Sequence, residues 1–294
     1  MYDINKIYEA NSVEDAVRLR MEEPQARIIA GGSDLLISIR AGDLAGCDLI
    51  SIYTIDELRG VSLDDDGTIR IGSLTSFAAV TKNEIIQKYV RVLGEAADKV
   101  GGPQIRNIGT IGGNTCNGVT SADTASTLMA YDAIIELTGS EGKRLVPIEE
   151  FYLRAKRVDI HPDEIQTAIL IRPESYRGYE GFYYKYAMRG AMDIATSGCS
   201  ANVKLSEDKK TIVDARICYG VAGPIPMRTR SAEQAVKGLP VSKEIVEAFA
   251  AGALQDVNPR TSWRATKEFR LHIQGELARR CLTESINRAG GIWS

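Results

Sequence analysis

Hydrophobic and polar positions divide the first 60 residues into small α/β units. "SVED" at Ser12–Asp15 is a capping-box pattern and predicts the start of a short helix. The apolar run Ala26–Ala30 predicts a buried strand, which "GGSD" at Gly31–Asp34 ends. A second buried strand is predicted at Asp48–Ile52. These elements indicate a small lobe of strands and helices.

Two hairpins and two helical stretches follow. The segments Val61–Gly72 and Ala133–Ile148 alternate between apolar and polar residues on both sides of a turn, which predicts two β-hairpins. Apolar residues recur at helical spacing over 76–100, and 121–133 is also helix-like. The segment Asp163–Pro173 predicts a strand that ends at its proline.

The pattern of hydrophobic and polar residues changes near Pro173–Gly178. Three segments after this point predict a three-stranded antiparallel sheet: "GFYYKYAM" (181–188), "SANVKL" (200–205) and Ile212–Ala222. From Ser231 to the end the pattern is helical. We therefore place a domain boundary between residues 176 and 177.

Composition narrows the class of protein. The chain has 294 residues, of which 44% are apolar and 26% charged, and this is enough to form the cores of two or three domains. No apolar run approaches the ~18 residues of a membrane span. The N-terminus lacks the features of a signal peptide, so we expect a cytoplasmic location. The net charge of −3, without a basic stripe, argues against nucleic acid as a partner.

Residues that could bind a metal are few and scattered. The five cysteines lie far apart in sequence and form no CxxC pair: Cys47, Cys116, Cys199, Cys218 and Cys281. With only two histidines, the sequence predicts no metal site on this chain. It also shows no nucleophile or acid–base triad, so we assign no catalytic side chain.

Two glycine-rich segments are the candidate ligand site. "AGGSD" (30–34) follows a strand, and "GTIGGN" (109–114) lies between helical stretches. Glycine lets the backbone approach a ligand closely, and successive amides in such a bend form a nest for anions. Helices beginning at Asp34 or after Thr120 would add further amides. Neither GxGxxG nor GxxxxGK is present in the required context, so the residues alone leave two readings open, simple turns or a diphosphate cleft.

The two segments together resemble a known family. "RIIAGGSDLLISIR" and "GGPQIRNIGTIGGNTCNGVTSADTAS" resemble the FAD-binding subunits of molybdenum hydroxylases, and within them the flavin subunits of bacterial xanthine dehydrogenases. "YKYAMRGAMDIATSGC" and "TSWRATKEFRLHI" extend the resemblance. It implies an α+β fold. A two-lobed FAD-binding domain of the vanillyl-alcohol-oxidase type would span residues 1–176, with lobes of about 1–60 and 61–176. A C-terminal domain of antiparallel sheet plus helices would span 177–294.

The resemblance also implies which residues bind FAD, without a covalent bond. Those assigned to the diphosphate lie in the two glycine-rich segments and are Arg27, Ile28, Ile29, Ala30, Gly31, Gly32, Ser33, Asp34, Leu35, Gly109, Thr110, Ile111, Gly112, Gly113, Asn114 and Asn117. Asp123 is assigned to the adenosine ribose and Ile165 to the adenosine half. Lys185 is assigned to the isoalloxazine ring, and strand alternation is expected to place it on the face opposite the core. Val100 stands at a position near the ring that is aromatic in animal homologues.

The resemblance implies one link in an electron-transfer chain. The flavin would take electrons from [2Fe–2S] clusters on a partner small subunit and reduce NAD+, while a large subunit with the molybdenum cofactor oxidises a purine such as xanthine or hypoxanthine. The segment Arg189–Gly198 is the candidate neighbour of the nicotinamide. Two alternatives stay open. One is the flavin subunit of a nicotinate, aldehyde or carbon monoxide dehydrogenase, and the other is a non-redox protein that binds a phosphorylated ligand.

Overall fold

A computed structural model describes residues 2–294. The helices are α1 (Val13–Glu22), α2 (Leu35–Ala41), α3 (Phe77–Lys82), α4 (Glu84–Tyr89), α5 (Arg91–Asp98), α6 (Pro103–Ile108), α7 (Ile111–Asn117), α8 (Asp123–Ala130), α9 (Ile148–Phe151), α10 (Pro173–Tyr176), α11 (Arg230–Val236), α12 (Lys243–Asp256) and α13 (Lys267–Arg288). The strands are β1 (Ile4–Glu9), β2 (Arg27–Ile29), β3 (Cys47–Ser51), β4 (Val61–Leu63), β5 (Ile69–Gly72), β6 (Ile134–Gly139), β7 (Gly142–Pro147), β8 (Tyr152–Arg154), β9 (Arg157–Val158), β10 (Ile165–Ile171), β11 (Tyr179–Tyr186), β12 (Ser197–Leu205), β13 (Ile212–Gly220) and β14 (Met227–Arg228). In the described residues, no helix is long and apolar enough to span a membrane.

The small lobe is a three-stranded parallel sheet in the order β1-β3-β2. The predicted capping box is confirmed, because the Ser12 hydroxyl accepts a hydrogen bond from the Asp15 amide at 3.1 Å and α1 begins at Val13. The predicted strands at 26–30 and 48–52 are β2 and β3. The turn after β2 therefore leaves the sheet at its edge, where it can contact the larger lobe.

The larger lobe is built on a five-stranded antiparallel sheet in the order β4-β5-β10-β6-β7. Both predicted hairpins are confirmed as β4–β5 and β6–β7. The predicted strand that ends at Pro173 is β10, at the centre of this sheet. Helices α3, α5 and α8 pack their apolar residues into the same core.

The structure adds detail to two expectations for this lobe. The helical stretch predicted over 76–100 is confirmed as three helices, because the Asn83 side chain accepts from the amides of Ile85 and Ile86 and thereby starts a new helix. A second break falls at Val90, whose φ of −139° is not helical. The glycine-rich stretch after residue 100 was expected to be a bend, but it folds into two short helices, α6 and α7.

The C-terminal domain is a four-stranded antiparallel sheet, β11-β12-β13-β14, covered by α11, α12 and α13. The three predicted strands are confirmed, and β14 adds two residues at the edge. Helix α13 begins later than the sequence pattern indicated, since Thr266 accepts from the Phe269 amide at 3.2 Å and acts as the N-cap. The preceding residues form a loop on the surface.

Helix α8 joins the two domains. All eight of its residues are buried, and it packs between the core of the larger lobe and strands β12 and β13. Ion pairs cross the same boundary: Arg216 to Asp132 at 3.0 Å, Arg288 to Glu95 at 2.9 Å and Lys185 to Asp123 at 2.8 Å. The fold class expected from the sequence is confirmed, and we propose residues 176/177 as the domain boundary.

Candidate cofactor-binding site

The turn between β2 and α2 presents free hydrogen-bond donors. In the part of the chain that the structure describes, the backbone amides of Gly31, Gly32, Ser33 and Asp34 have no acceptor. The carbonyl of Gly32 is used, because it accepts from the Leu36 amide at 3.0 Å. Gly32 has a φ of +68°, which favours glycine and turns the chain sharply. Four successive unpaired N–H groups form a surface that suits an anionic ligand.

The two glycine-rich segments touch each other at Gly31. A β-carbon built at this residue would lie 1.8 Å from the carbonyl oxygen of Ile108 and 3.3 Å from the Cα atom of Gly109. Any side chain here would force the segments apart. The structure therefore brings the predicted residues of both segments into one continuous wall.

The second segment supplies fewer free donors than expected. The amide of Ile111 donates to the carbonyl of Thr75 at 3.0 Å, and that of Gly112 donates to Ser73 at 2.9 Å. The Gly113 amide donates to the Thr110 hydroxyl at 3.1 Å. These bonds anchor α7 to the segment after β5, so the expectation that this stretch forms a nest of free amides was wrong. Of the described residues 109–113, Thr110 alone keeps an amide without an acceptor.

Gly112 and Gly113, expected to act alike, have different surroundings. A β-carbon at Gly112 would lie 2.5 Å from Cβ and 2.7 Å from the carbonyl oxygen of Ser73, so this glycine is required for packing within the chain. A β-carbon at Gly113 would meet only the Thr110 hydroxyl, at 2.9 Å, and Gly113 is exposed. Gly113 is therefore the glycine of this pair at which a ligand could approach.

This difference gives a first prediction. Gly112→Ala should lower the free energy of unfolding by about 1–3 kcal/mol, the usual cost of overpacking, because its methyl group meets fixed backbone. Gly113→Ala should leave it unchanged or slightly higher, because alanine favours the helix. Urea unfolding of the two variants tests this. Equal losses of stability would show that Ser73 can move away and that the packing role of Gly112 is wrong.

The remaining predicted residues lie around this wall with different degrees of exposure. The hydroxyl of Thr124 donates to Asn114 Oδ1 at 2.7 Å, which leaves the amide nitrogen of Asn114 for a ligand. Asn117 is half-buried, as are Val100, Leu35 and the residues from Ile28 to Ala30, whereas Arg27 is exposed. Ile165 is only 2% exposed and belongs to the core of the small lobe, so its side chain is not available at the surface.

Asp123 and Lys185 form a buried ion pair. Lys185 Nζ lies 2.8 Å from Asp123 Oδ2 and also donates to the carbonyl oxygen of Lys99 at 2.9 Å. The Tyr183 hydroxyl donates to the other carboxylate oxygen at 2.7 Å. The side chains of Lys185 and Asp123 are 10% and 7% exposed. Burial raises the pKa of Asp123, although the charge and hydrogen bond of Lys185 oppose this rise.

This geometry corrects one expectation and adds a contact that the resemblance did not predict. Strand alternation was expected to leave Lys185 on an open face, but Tyr183 on the same face packs into the core of the larger lobe, so both faces of β11 are covered. The resemblance assigned Asp123 and Lys185 to opposite halves of FAD, yet their charged atoms are in contact. Tyr183 was not predicted. Its position two residues before Lys185, on the same side of the strand, was the available signal.

Comparison with known families identifies the first domain. A family model described as the FAD binding domain in molybdopterin dehydrogenase matches residues 2–173. The chain belongs to this family. A second model, the CO dehydrogenase flavoprotein C-terminal domain, matches residues 182–285. The order of the two matches is the order of the two domains of this flavin subunit.

Relatives with curated names cover nearly the whole chain. The xanthine dehydrogenase FAD-binding subunit of Escherichia coli O157:H7 is 40% identical over 291 residues, 99% of each chain. The nicotinate dehydrogenase FAD-subunit of Eubacterium barkeri is 33% identical over 75% of each chain. A solved structure of carbon monoxide dehydrogenase from Hydrogenophaga pseudoflava superposes with a TM-score of 0.92 at 28% identity, covering 98% of this chain and 99% of that one.

The residues of the site fit FAD. A diphosphate carries negative charge and accepts hydrogen bonds, which the unpaired amides of Gly31–Asp34 can donate. The exposed backbone at Gly113 leaves room for it. The resemblance seen in the sequence is therefore confirmed at the level of the family and of FAD as its cofactor.

Proposed function

We propose that this flavin subunit takes electrons from [2Fe–2S] clusters on a partner chain and reduces NAD+ during purine oxidation. The observation that carries the proposal is the 40% identity, over 99% of the chain, to a xanthine dehydrogenase FAD-binding subunit. Sequence identity is lower to the nicotinate dehydrogenase FAD-subunit, at 33%, and to a carbon monoxide dehydrogenase medium chain, at 29%. The whole enzyme would include a large subunit with the molybdenum cofactor, and we propose that it is cytoplasmic.

The chain's own contribution is to bind and orient the cofactor. The amides of Gly31, Gly32, Ser33 and Asp34 would hold the diphosphate, and the close approach of Gly31 to Gly109 would keep the two glycine-rich segments together. The bound flavin would supply reversible transfer of one or two electrons, which is the chemistry of the cofactor and not of the side chains around it. Of the other predicted residues, Gly113, Asn114 and Asn117 are proposed to line the same site, whereas Ile165 and Gly112 are proposed to support it from the core.

The ion pair of Lys185 and Asp123 would place two opposite charges beside the site without a large net charge. It is buried and nearly neutral as a whole, so it adds little net field while both partners are charged. Tyr183 and the carbonyl of Lys99 hold its two members in position. We propose that both residues act at the same end of the cofactor, because the charged atoms lie 2.8 Å apart.

The proposed acceptor can be tested with this chain and FAD alone. On mixing with excess NADH under anaerobic conditions in a stopped-flow instrument, the absorption of oxidised flavin should disappear. Xanthine should have no such effect, because the chain offers no residues that we can assign to purine chemistry. Dithionite provides the control that all bound flavin is reducible.

Three outcomes separate the proposal from its alternatives. Flavin that dithionite reduces but NADH does not would exclude NAD+ as acceptor. A complex with partner chains that oxidises nicotinate or carbon monoxide, and not xanthine, would assign the subunit to another branch of the family. A chain that binds a sugar phosphate and stays colourless with FAD would exclude flavin chemistry altogether.

A further inference from the structure

A loop and the first turn of α13 form a cationic and aromatic surface. We call it the Trp263 patch and define it by Arg260, Trp263, Arg264, Lys267 and Phe269. Trp263 is 79% exposed and Phe269 is 42% exposed. The guanidinium carbon of Arg264 lies 4.2 Å from the centroid of the Trp263 ring. Exposed apolar side chains of this size in a cluster commonly mark an interaction site.

The charge of the patch is not neutralised by the chain itself. Between Asn258 and Arg270 there are four cationic residues, and Glu268 is the single carboxylate. Across residues 2–294, no carboxylate oxygen lies within 4.0 Å of a side-chain nitrogen of Arg260, Arg264 or Lys267. The patch differs in this from Arg279, Arg280 and Arg288 further along the same helix, each of which has a carboxylate partner.

A buried guanidinium beneath the patch adds to its charge. Arg270 is 3% exposed, and its Nε atom has no hydrogen-bond partner among the described residues. Its other nitrogens donate to the carbonyl of Thr196 and to the Ser262 hydroxyl, which are both uncharged. Burial lowers the pKa of Arg270, and repulsion from Arg260 and Arg264 lowers it further. An acidic group placed over the patch would relieve this repulsion.

The patch is connected to the cofactor site through few residues. The rings of Phe269 and Tyr186 have centroids 6.0 Å apart, and Tyr186 directly follows Lys185 on β11. Arg270 donates to the carbonyl of Thr196, whose amide donates to the carbonyl of Tyr186 at 2.8 Å. A partner docked on the patch would therefore lie beside the end of β11 that carries Lys185.

The loop from β11 to β12, which includes most of the candidate nicotinamide segment Arg189–Gly198, lies next to the Trp263 patch and is also apolar. It begins after Tyr186 and ends before Ser197, and it exposes Met188, Met192 and Ile194 by 66%, 64% and 50%. A β-carbon built at Gly102 would lie 3.3 Å from Met192 Cγ, so the loop also contacts the segment that follows α5. The exposed apolar residues thus continue from the first domain towards the Trp263 patch.

We propose that the Trp263 patch is the docking surface for an acidic face of the iron–sulfur chain that delivers electrons to this subunit. The inference rests on the proposed function, since an electron donor must bind close to the flavin. Trp and Arg are the residue types that most often dominate binding energy at interfaces, and unpaired cations steer an acidic partner to its site. Because Arg260, Arg264 and Lys267 have no carboxylate partner among the described residues, the patch suits an acidic surface on that partner.

The test uses the whole complex, purified through a tag on this chain. Iron and FAD are quantified, and the dissociation constant of the iron–sulfur chain is measured by dilution and sizing. Trp263→Ala should weaken binding roughly thirtyfold, as expected for a hot-spot residue. Arg264→Glu should weaken it further at low salt and reduce its salt dependence. Leu153→Ala and Arg154→Glu form the matched control, an exposed apolar residue beside an exposed arginine on β8.

The FAD content of each variant keeps this inference separate from the proposed function. Loss of FAD from the unmodified chain would overturn the proposed function, whereas normal FAD with unchanged affinity in Trp263→Ala and Arg264→Glu would overturn the docking site alone. An equal loss in the Leu153 and Arg154 variants would also overturn it. Normal assembly of these variants with weaker NADH binding would overturn the docking site too, because it would mark the patch as a dinucleotide site. A complex that contains FAD and no iron would overturn it as well.

Discussion

Gly113→Val should give a folded chain that binds FAD roughly a hundredfold more weakly, equivalent to losing about two charge-assisted hydrogen bonds. Gly113 is exposed, and the added side chain would occupy the space through which a ligand reaches α7. The helix itself should tolerate the change, because valine is no worse than glycine in a helix. The one close contact is with the Thr110 hydroxyl at 2.9 Å, and moving this hydroxyl would cost at most the N-cap hydrogen bond of α7, about 1 kcal/mol.

Fluorescence titration of the apoprotein with FAD measures the effect, and circular dichroism with thermal unfolding checks the fold. Gly190→Val is a useful comparison, because Gly190 lies outside the two glycine-rich segments and a β-carbon there would meet nothing within 4 Å. It should bind FAD with at most a small loss. If Gly113→Val retains the affinity of the unmodified chain, the second glycine-rich segment does not contact the diphosphate.

Lys185→Met should lower the free energy of unfolding by about 3–5 kcal/mol at neutral pH, the usual result of removing one partner of a buried ion pair. The substitution leaves the Asp123 carboxylate, 7% exposed, with the Tyr183 hydroxyl as its one remaining side-chain donor. Where FAD is still bound, the uncompensated negative charge should also lower the flavin reduction potential. Urea unfolding and a redox titration measure the two effects.

The loss of stability should depend on pH in a defined direction. Burial already raises the pKa of Asp123 in the folded chain, and removing Lys185 takes away the largest opposing influence, so the pKa rises further. The folded variant then holds a proton that the unfolded chain, with an ordinary carboxyl near 3.8, releases. Its stability should therefore fall as pH rises through the pKa of the folded state and recover as pH decreases below it.

Two variants act as controls for this prediction. Lys143→Met removes an exposed lysine, 62% accessible, that lies 3.5 Å from Glu136, and it should cost less than about 1 kcal/mol. The double variant Asp123→Asn with Lys185→Met should recover part of the loss, since no buried charge remains. A pH-independent loss in Lys185→Met, or equal losses in both lysine variants, would contradict the role of the buried pair.

Much of the local structure could be predicted from the sequence. The helix that Ser12 caps, the hairpins of 61–72 and 133–148, and the strands at 26–30 and 48–52 depend on neighbours within a few residues. Capping, alternation and turn residues are local signals, so they appear directly in the pattern of side chains. The two glycine-rich segments and the family they resemble were visible for the same reason.

The tertiary structure decided what each site residue does. Gly112 and Gly113 are adjacent and identical in type, yet one packs on Ser73 and the other is open, because Ser73 comes from a distant strand end. In the same way, the amides of Ile111 and Gly112 are not free for a ligand, because they donate to the carbonyls of Thr75 and Ser73.

Lys185 shows the same limit across the domain boundary. Alternation along β11 assigned its side of the strand, but whether that side was open depended on α8, whose Asp123 lies 62 residues earlier in the chain. Burial and pairing are properties of the residues that surround a side chain in space. The sequence by itself therefore determined the elements, the family and the candidate residues, and only the packing of the two domains decided which donors, cations and glycines remain free for a ligand.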